Sequence, residues 1–347
     1  MRFDLSVIKD FRSLRGARLE WDPGLNLILG PNGSGKTNLL ESLNVLAGWG
    51  TFRGRTAGAV SWDCERGRAL LGARVTGEED HELQVQISTR MTPRLDGKHA
   101  TFTDLRLAVP SITFLPTDIS LVDGSPAVRR LFLDRLCALC SPPYARRLSE
   151  FHQVSRQRVA LLRQGRPVRG TTLPFARLGG WIMETRRRVS SLLLTLEQSD
   201  EICASLPFSF SITPELGDSS AEESLLRALD ETSEREQYAQ RPLVGPNRDD
   251  LEIIAQGRPA ADALSRGQKR RLVISLILRA GRLIERHLHR KPILLFDDLA
   301  AELDADARKE AGRLLLATGW QIFVTGTEDP FFGLTGTARF LPLPFIG

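Results

Sequence analysis

The chain contains 347 residues, of which 41% are hydrophobic and 26% charged, a composition ordinary for a globular protein with roughly two or three domains. Its four cysteines are too few for a disulfide framework, and no signal-peptide core or window of membrane-spanning length occurs, so we expect a cytoplasmic protein without membrane contact. The net charge of +5 permits binding to a polyanion but does not require it.

Strand-like segments dominate the first third of the chain. They either alternate apolar with polar residues or form short apolar runs bounded by turn residues, which is typical of β-strands. The predicted strands are Arg2–Ile8, Leu25–Leu29, Ala69–Thr76, Leu83–Thr89 and Ser111–Leu115.

A glycine-rich loop follows the second of these strands. Residues 30–37 match G-x-x-x-x-G-K-[ST] completely, and apolar residues at helical spacing follow from Asn38. In such a loop the backbone N–H groups surround a polyphosphate, Lys36 reaches its β- and γ-phosphates, and the Thr37 hydroxyl ligates Mg²⁺. The predicted nucleoside triphosphate site is Gly30, Pro31, Asn32, Gly33, Ser34, Gly35, Lys36, Thr37 and Asn38.

The middle of the chain, from about Pro126 to Gln240, is predicted to be largely helical. The predicted helices and the linker between two of them are Ala127–Cys140, Tyr144–Gln164, the linker Gly165–Thr172, and Phe175–Gln198. Arginines crowd this segment and favour forked phosphate contacts, although a single arginine on such a helix usually faces only solvent. Cys137 and Cys140 have no second pair of metal ligands at a suitable spacing, so we interpret them as core residues rather than a zinc site.

An α/β pattern returns towards the carboxyl end. The predicted elements are the strands Leu251–Ala255, Pro292–Phe296 and Gln321–Thr325 and the helices Arg266–His289 and Ala305–Leu316. A buried strand that ends in Asp297 and Asp298 has the Walker B pattern, in which Asp297 holds Mg²⁺ and Asp298 acts as a general base or positions water. Nucleotide-binding signals at both ends predict an α/β ATPase head formed by residues 1–122 and 241–347, with a mainly helical lobe, residues 123–240, inserted into it.

Three further segments lie where ATP-binding-cassette ATPases carry their signature, D-loop and switch. A serine at the start of a helix can cap a γ-phosphate. In ATP-binding-cassette ATPases the signature meets the nucleotide bound to a second subunit, so we expect ATP to join two copies of the chain. No Asn-Lys-x-Asp guanine reader occurs, which favours ATP over GTP. The assigned residues are Ser265, Arg266, Gly267 and Gln268 in the signature, Glu302 and Asp304 in the D-loop, and Thr325 in the switch.

Together these stretches resemble the RecF family of bacterial recombination mediators, relatives of the SMC and Rad50 ATPases. The resemblance spans nearly the whole chain, and its most specific parts are Ser125-Pro126 with Arg129-Arg130, and the run Gly245–Leu251. Other matching stretches are Phe11-Arg12, Leu40-Glu41, Thr51–Arg53, Phe114–Asp118, Phe132–Asp134, Pro143-Tyr144 and residues 297–304. The chain departs from the family pattern at Thr117, where an acidic residue is usual, and at Asn247, where histidine is common.

The resemblance implies an ABC-type P-loop head of the Rad50 and SMC kind with an inserted helical lobe. It also implies ATP-dependent homodimerisation on DNA and recruitment to gaps and stalled replication forks. The resemblance further implies that the protein helps RecR, and through it RecO, to load the RecA recombinase where single-strand-binding protein is displaced. It also implies a role in supporting the SOS response.

Several functions remain open at this point. A DNA-binding ATPase switch is favoured, with slow DNA-dependent hydrolysis because Asp298 is one methylene shorter than the glutamate common in fast cassette ATPases. The alternative is the ATPase subunit of an ABC-type transporter, although Thr325-Gly326-Thr327 lacks the usual switch histidine. A nuclease would need an appended acidic metal-binding domain, and intact Lys36 and Asp297 disfavour a non-hydrolysing interaction protein. The candidate DNA contacts are Arg53, Arg55, Arg129 and Arg130.

Overall fold

The computed structural model describes residues 1–54, 56–62, 64, 66–196, 208–213, 220–299, 305–329, 331 and 339–342. The strands are β1 (Arg2–Phe11), β2 (Leu14–Glu20), β3 (Leu25–Leu29), β4 (Ala69–Thr76), β5 (His81–Ile87), β6 (Met91–Leu95), β7 (Lys98–His99), β8 (Ser111–Phe114), β9 (Phe208–Thr213), β10 (Asp250–Ala255), β11 (Arg258–Pro259), β12 (Ile293–Phe296), β13 (Gln321–Gly326) and β14 (Arg339–Pro342). The helices are α1 (Lys36–Leu46), α2 (Phe102–Ala108), α3 (Ser120–Asp123), α4 (Pro126–Cys140), α5 (Tyr144–Arg163), α6 (Arg169–Thr195), α7 (Ala221–Glu231), α8 (Ser233–Ala239), α9 (Ala260–Ala263), α10 (Arg266–Leu288) and α11 (Ala305–Ala317).

The described residues divide into two units. The first takes in residues 1–119 and those from 265 onward, and the second takes in the described residues from 120 to 264. The second boundary therefore lies after Leu264. The predicted boundary, after residue 240, is 24 positions too early. The reason is that β10 pairs with β9, and Arg129 on α4 forms a 2.7 Å ion pair with Asp250, so that β10 belongs with the helices.

A parallel sheet in the order β14-β3-β13-β12-β8 lies in the first unit. Strands β12 and β13 are buried at every residue, as expected of strands covered on both faces. Because parallel strands end at the same edge of a sheet, the loop after β3, the carboxylates after β12 and the end of β13 come together there. This edge positions the candidate site.

An antiparallel sheet in the order β2-β1-β4-β5-β6-β7 lies in the same unit. Strand β4 alternates buried with more exposed residues, so one of its faces covers the core. The buried Gln321 of β13 joins the two sheets, because its side-chain amide accepts from Phe3 N and donates to Phe3 O, both at 2.8 Å. The Trp21 and Phe323 rings meet edge to face, with centroids 5.0 Å apart, and fix the same contact.

The second unit is built on α4, α5 and α6, with α7 packed against α6 and the antiparallel sheet β11-β10-β9 beside α4. Its helices bury two arginines almost completely, Arg158 and Arg186. Arg158 forms a 2.7 Å ion pair with Glu236, and Arg186 lies 2.9 Å from both Asp134 and Asp249. Part of the arginine content of this segment therefore holds the fold together.

The predicted elements of both units are confirmed within a few residues at their ends, apart from α6 and several short elements. Helix α6 begins at Arg169, inside the predicted linker, because Thr171 and Thr172 accept hydrogen bonds from the buried Arg158. The unpredicted elements include β2, β6, α2 and β9. Among the described residues, no helix has both the length and the apolar character needed to cross a membrane.

Candidate nucleotide site

The glycine-rich loop connects the carboxyl end of β3 to the start of α1. Gly33 (φ +82°) and Gly35 (φ +98°) adopt left-handed backbone conformations that residues with a Cβ disfavour, and Gly35 is the N-cap of α1. Gly30 N donates to Gly326 O at 3.2 Å, which ties the loop to the end of β13. The loop thus has the backbone form of an anion-binding nest beside a helix N-terminus.

Lys36 and Ser34 supply polar groups inside this loop. The Lys36 side chain is buried, and its Nζ donates to Gly30 O at 2.7 Å and to Pro31 O at 2.9 Å. Ser34 Oγ is buried without a hydrogen-bond partner among the described residues. A cationic donor and an unpaired hydroxyl within one loop fit a polyphosphate ligand.

Thr37 on α1 meets Asp297, the residue that follows β12. Its Oγ1 donates to the carboxylate, with distances of 3.0 Å to Oδ1 and 3.1 Å to Oδ2. The predicted Mg²⁺ ligands are therefore adjacent, and a hydroxyl beside a carboxylate is a donor set that suits this hard cation. In the described parts of the chain, no cluster of three or more His, Cys, Asp or Glu residues could hold a metal ion.

The predicted switch residue, Thr325, contacts both Walker B aspartates, the carboxylate of Asp297 and the backbone of Asp298. It is fully buried, and its hydroxyl donates to Asp297 Oδ1 at 2.7 Å while accepting from Asp298 N at 2.9 Å. Asp298 adopts a left-handed backbone conformation (φ +49°). Burial, followed by the negative charge of Asp297, raises the pKa of the Asp298 carboxyl above its ordinary value. Through these contacts Thr325 holds the two aspartates that follow β12 in place.

A network that sequence reasoning missed supports α1 from the side. Glu41, fully buried, accepts from Arg12 Nε and Nη2 at 3.0 and 2.7 Å and from Phe52 N at 2.8 Å. Arg12 also donates to Arg53 O at 2.7 Å, and an Arg53 guanidinium nitrogen lies 3.4 Å from Asn38 Oδ1. The only sequence signal for this network was the family resemblance at Phe11-Arg12, Leu40-Glu41 and Thr51–Arg53.

The signature segment forms the N-terminus of α10. Ser265 Oγ accepts from Gln268 N, and Gln268 Oε1 accepts from Ser265 N at 2.9 Å, so the two residues form a capping box. Ser265 and Arg266 are exposed. Ser265 therefore caps the helix, and its contact with a γ-phosphate stays a prediction.

The remaining candidates divide into those placed elsewhere and those that lie outside the described residues. Arg129 forms an ion pair within the second unit. Its guanidinium donates to both carboxylate oxygens of Asp250, and its side chain is only 11% exposed. Arg130 donates to Asp249 O at 2.7 Å. Both arginines therefore have partners within the chain, and their contact with DNA stays a prediction. Arg55, Glu302 and Asp304 lie outside the described residues.

Comparisons with known proteins match the chain over most of its length. Residues 5–337 match the model of the RecF/RecN/SMC N-terminal domain family. The chain is 32% identical to the DNA replication and repair protein RecF of Heliobacterium modesticaldum, over 94% of this chain and 93% of that protein. It is 31% identical to RecF of Magnetococcus marinus, over 97% and 94%.

Solved structures share the fold. The recombination mediator protein RecF with ATPγS, of the RecFOR pathway, superposes with a TM-score of 0.85 at 22% identity and covers 94% of this chain and 93% of that chain. An SMC head bound to the C-terminal winged-helix domain of ScpA has a TM-score of 0.54 at 16% identity, over 95% and 91%. The fold is therefore that of an ABC-type ATPase head of the RecF and SMC kind.

Proposed function

Since the chain belongs to the RecF family of DNA replication and repair proteins, we propose that it is an ATP-dependent DNA-binding protein of recombinational repair and replication-fork maintenance. The observation that carries the proposal is the contact between Thr37 and Asp297, which are 260 positions apart yet meet at 3.0 Å beside the lysine of the glycine-rich loop. Such a junction of P-loop and Walker B carboxylate serves nucleotide binding and hydrolysis.

ATP is the proposed ligand, with Gly30 to Asn38 around its phosphates. The similar RecF structures include complexes with ATP and ATPγS, which supports this choice. Mg²⁺ would be held by the Thr37 hydroxyl and the Asp297 carboxylate, and when bound it neutralises phosphate charge.

Asp298 is the proposed catalytic carboxylate. It accepts a proton from water as the water oxygen bonds to the γ-phosphorus and the bond to the β–γ bridging oxygen breaks, leaving ADP and phosphate. Lys36 offsets the negative charge that develops on the phosphate oxygens. The short reach of an aspartate here fits slow turnover, so that hydrolysis acts as a timer.

ATP would also join two copies. Ser265, Arg266, Gly267 and Gln268 are proposed to meet the γ-phosphate bound to a second copy, with Glu302 and Asp304 crossing the same interface. The exposure of Ser265 and Arg266 supports this arrangement. The resulting homodimer clamps DNA at gaps and junctions, and hydrolysis releases it.

Family membership supports further proposals about partners. We propose that the protein acts in the cytoplasm with RecR, and through it RecO, to help load RecA and to support the SOS response. A transporter ATPase subunit becomes the weaker alternative, because the two relatives named above are RecF proteins that match more than nine tenths of the chain.

The test measures oligomeric state and DNA affinity with no nucleotide, with ADP and with a non-hydrolysable ATP analogue. Analytical ultracentrifugation and fluorescence anisotropy on a gapped duplex supply the two readouts. Dimers and tight DNA binding are expected only with the ATP analogue. A chain that stays monomeric when saturated with both analogue and DNA would refute the clamp.

A further inference from the structure

The hairpin of α5 and α6 carries an unusual charge pattern. Residues 151–183 contain six arginines and no aspartate, glutamate or lysine. One of the six, Arg158, is buried and paired with Glu236. The other five are exposed, and we call them the arginine tip: Arg156, Arg163, Arg166, Arg169 and Arg177.

The contacts across the hairpin show how these side chains are arranged. Arg158 on α5 reaches Thr172 on α6 at 3.1 Å, and the Phe151 ring packs on that of Phe175, with centroids 4.9 Å apart. The two helices therefore run antiparallel and are joined by residues 164–168. Arg163, Arg166 and Arg169 gather at this connection.

The arginine tip has no acidic partner among the described residues. The only side-chain hydrogen bond of these five arginines within the described residues is a long one, from Arg166 Nη1 to Gln164 Oε1 at 3.5 Å. Exposed carboxylates do occur on α7 and α8, which pack against the hairpin, namely Glu223, Asp230, Glu231 and Glu234, but no ion pair within the described residues joins them to the arginine tip. By contrast, Arg146 on α5 is exposed and pairs with Glu150 at 2.8 Å.

A surface of this composition suits one class of ligand. Arg169 and Arg177 are eight residues apart on α6 and so lie about 12 Å apart along the helix axis on the same face. Duplex DNA carries one negative charge per roughly 1.7 Å of its axis when both strands are counted, so a stretch of that length contains about seven phosphates. Protein interfaces do enrich arginine, but together with aromatic residues and methionine around an apolar centre.

We propose that the arginine tip binds the phosphodiester backbone of DNA, independently of base sequence. The inference rests on the proposed DNA-binding function and assigns the DNA contacts to the α5–α6 hairpin. Arg129 and Arg130 are not chosen, because Arg129 is paired with Asp250 and Arg130 donates to the Asp249 carbonyl. Guanidinium groups held on two packed helices present forked donors to phosphate oxygens.

The test is the triple variant R163Q/R166Q/R169Q in the full-length protein. Glutamine is a good helix former, and all three positions are exposed, so the melting temperature and ATP binding should stay unchanged. The matched control is R90Q/R94Q/R146Q, which removes the same charge from other exposed positions. Fluorescence anisotropy measures affinity for a duplex oligonucleotide with the non-hydrolysable ATP analogue, from about 50 to 200 mM salt.

The triple variant should bind DNA at least roughly tenfold more weakly, and the slope of log affinity against log salt should fall by about 2 to 3, since each phosphate contact contributes about 0.9. The variant R163K/R166K/R169K should retain most of the affinity. If the wild type and the triple variant have equal affinity and slope, the arginine tip does not bind DNA, while the proposed function stays intact. An equal loss of affinity in the control variant leads to the same conclusion. A wild-type protein that binds no DNA overturns both.

Discussion

A single hydroxyl organises the two carboxylates of the candidate site. Thr325 donates to Asp297 Oδ1 and accepts from the backbone N–H of Asp298, which holds the left-handed backbone conformation of Asp298. The sequence suggested a γ-phosphate sensor at this position. The contacts indicate a positioning residue whose removal would loosen both carboxylates.

We therefore predict that Thr325→Val lowers the rate of ATP hydrolysis by about 10- to 100-fold, the usual cost of losing a residue that orients a metal ligand. Valine has nearly the same shape and fits the fully buried site, so the fold should survive. Steady-state kinetics would show the loss in kcat, while the Kd for ATP changes little.

Thr325→Ser is the matched control, because it keeps the hydroxyl and removes only a methyl group. It should retain most of the activity. A serine variant as inactive as the valine variant would show that packing, and not the hydroxyl, is what matters at this position.

Asp298 carries a second prediction at the same scale. Asp298→Asn removes the proton acceptor but keeps the size of the side chain, so hydrolysis should fall by roughly a hundredfold or more. Because the P-loop and signature are untouched, ATP binding should persist and dimers should accumulate. Phosphate release and sedimentation velocity measure the two effects, and normal hydrolysis by the variant would remove Asp298 from its assigned role.

At the residue scale, the local geometry agrees with the predicted motifs where one short segment specifies it. Glycines followed by Lys36 and Thr37, and two aspartates after an apolar strand, specify positions without reference to distant residues. Arg129 is the opposite case, because its partner Asp250 lies 121 positions away and no local sequence pattern predicts this ion pair. A free and an ion-paired arginine look the same in sequence.

At the scale of elements, buried ion pairs hold the helical unit together. Arg186 on α6 joins Asp134 on α4 to Asp249 just before β10, and it also donates to Pro246 O at 2.7 Å. Asp249 is itself nearly fully buried. One side chain thus ties three elements of the unit.

Arg186→Gln should destabilise this unit by about 3 to 5 kcal/mol, because it leaves buried carboxylates without their counter-charge. Urea denaturation monitored by circular dichroism measures the change. Arg146→Gln is the control, since its ion pair with Glu150 is exposed and contributes at most about 0.5 kcal/mol. Equal stability of the two variants would contradict a structural role for Arg186.

Element prediction failed where tertiary contacts override local composition. The start of α6 contains Gly170 and Pro174, which normally break helices, yet the buried Arg158 holds Thr171 and Thr172 in place. Strand β2 has only weak alternation, and its pairing with β1 stabilises it. The short buried strands β3 and β12 and the long helix α10 were found because their apolar runs alone specify them.

At the scale of the whole molecule, the proposed clamp depends on the signature segment meeting a second copy. Gly267 offers a sharp test of that dependence. Its backbone conformation is ordinary, and a Cβ added there would meet no atom within 4 Å, so a single copy tolerates a larger residue. Gly267 also lies in the first turn of α10, where a negative side chain stabilises the helix.

Gly267→Glu should therefore leave the melting temperature unchanged or slightly higher while abolishing the ATP-dependent dimer, because its carboxylate would repel the γ-phosphate bound to the partner copy. ATP should still bind to the chain's own P-loop, as measured by calorimetry, and DNA affinity with ATP should fall to the level seen without nucleotide. Gly267→Ala, which adds neither bulk nor charge of consequence, should dimerise normally. A glutamate variant that dimerises like wild type would mean that the signature does not face ATP across the interface, and the clamp would have to close through another surface.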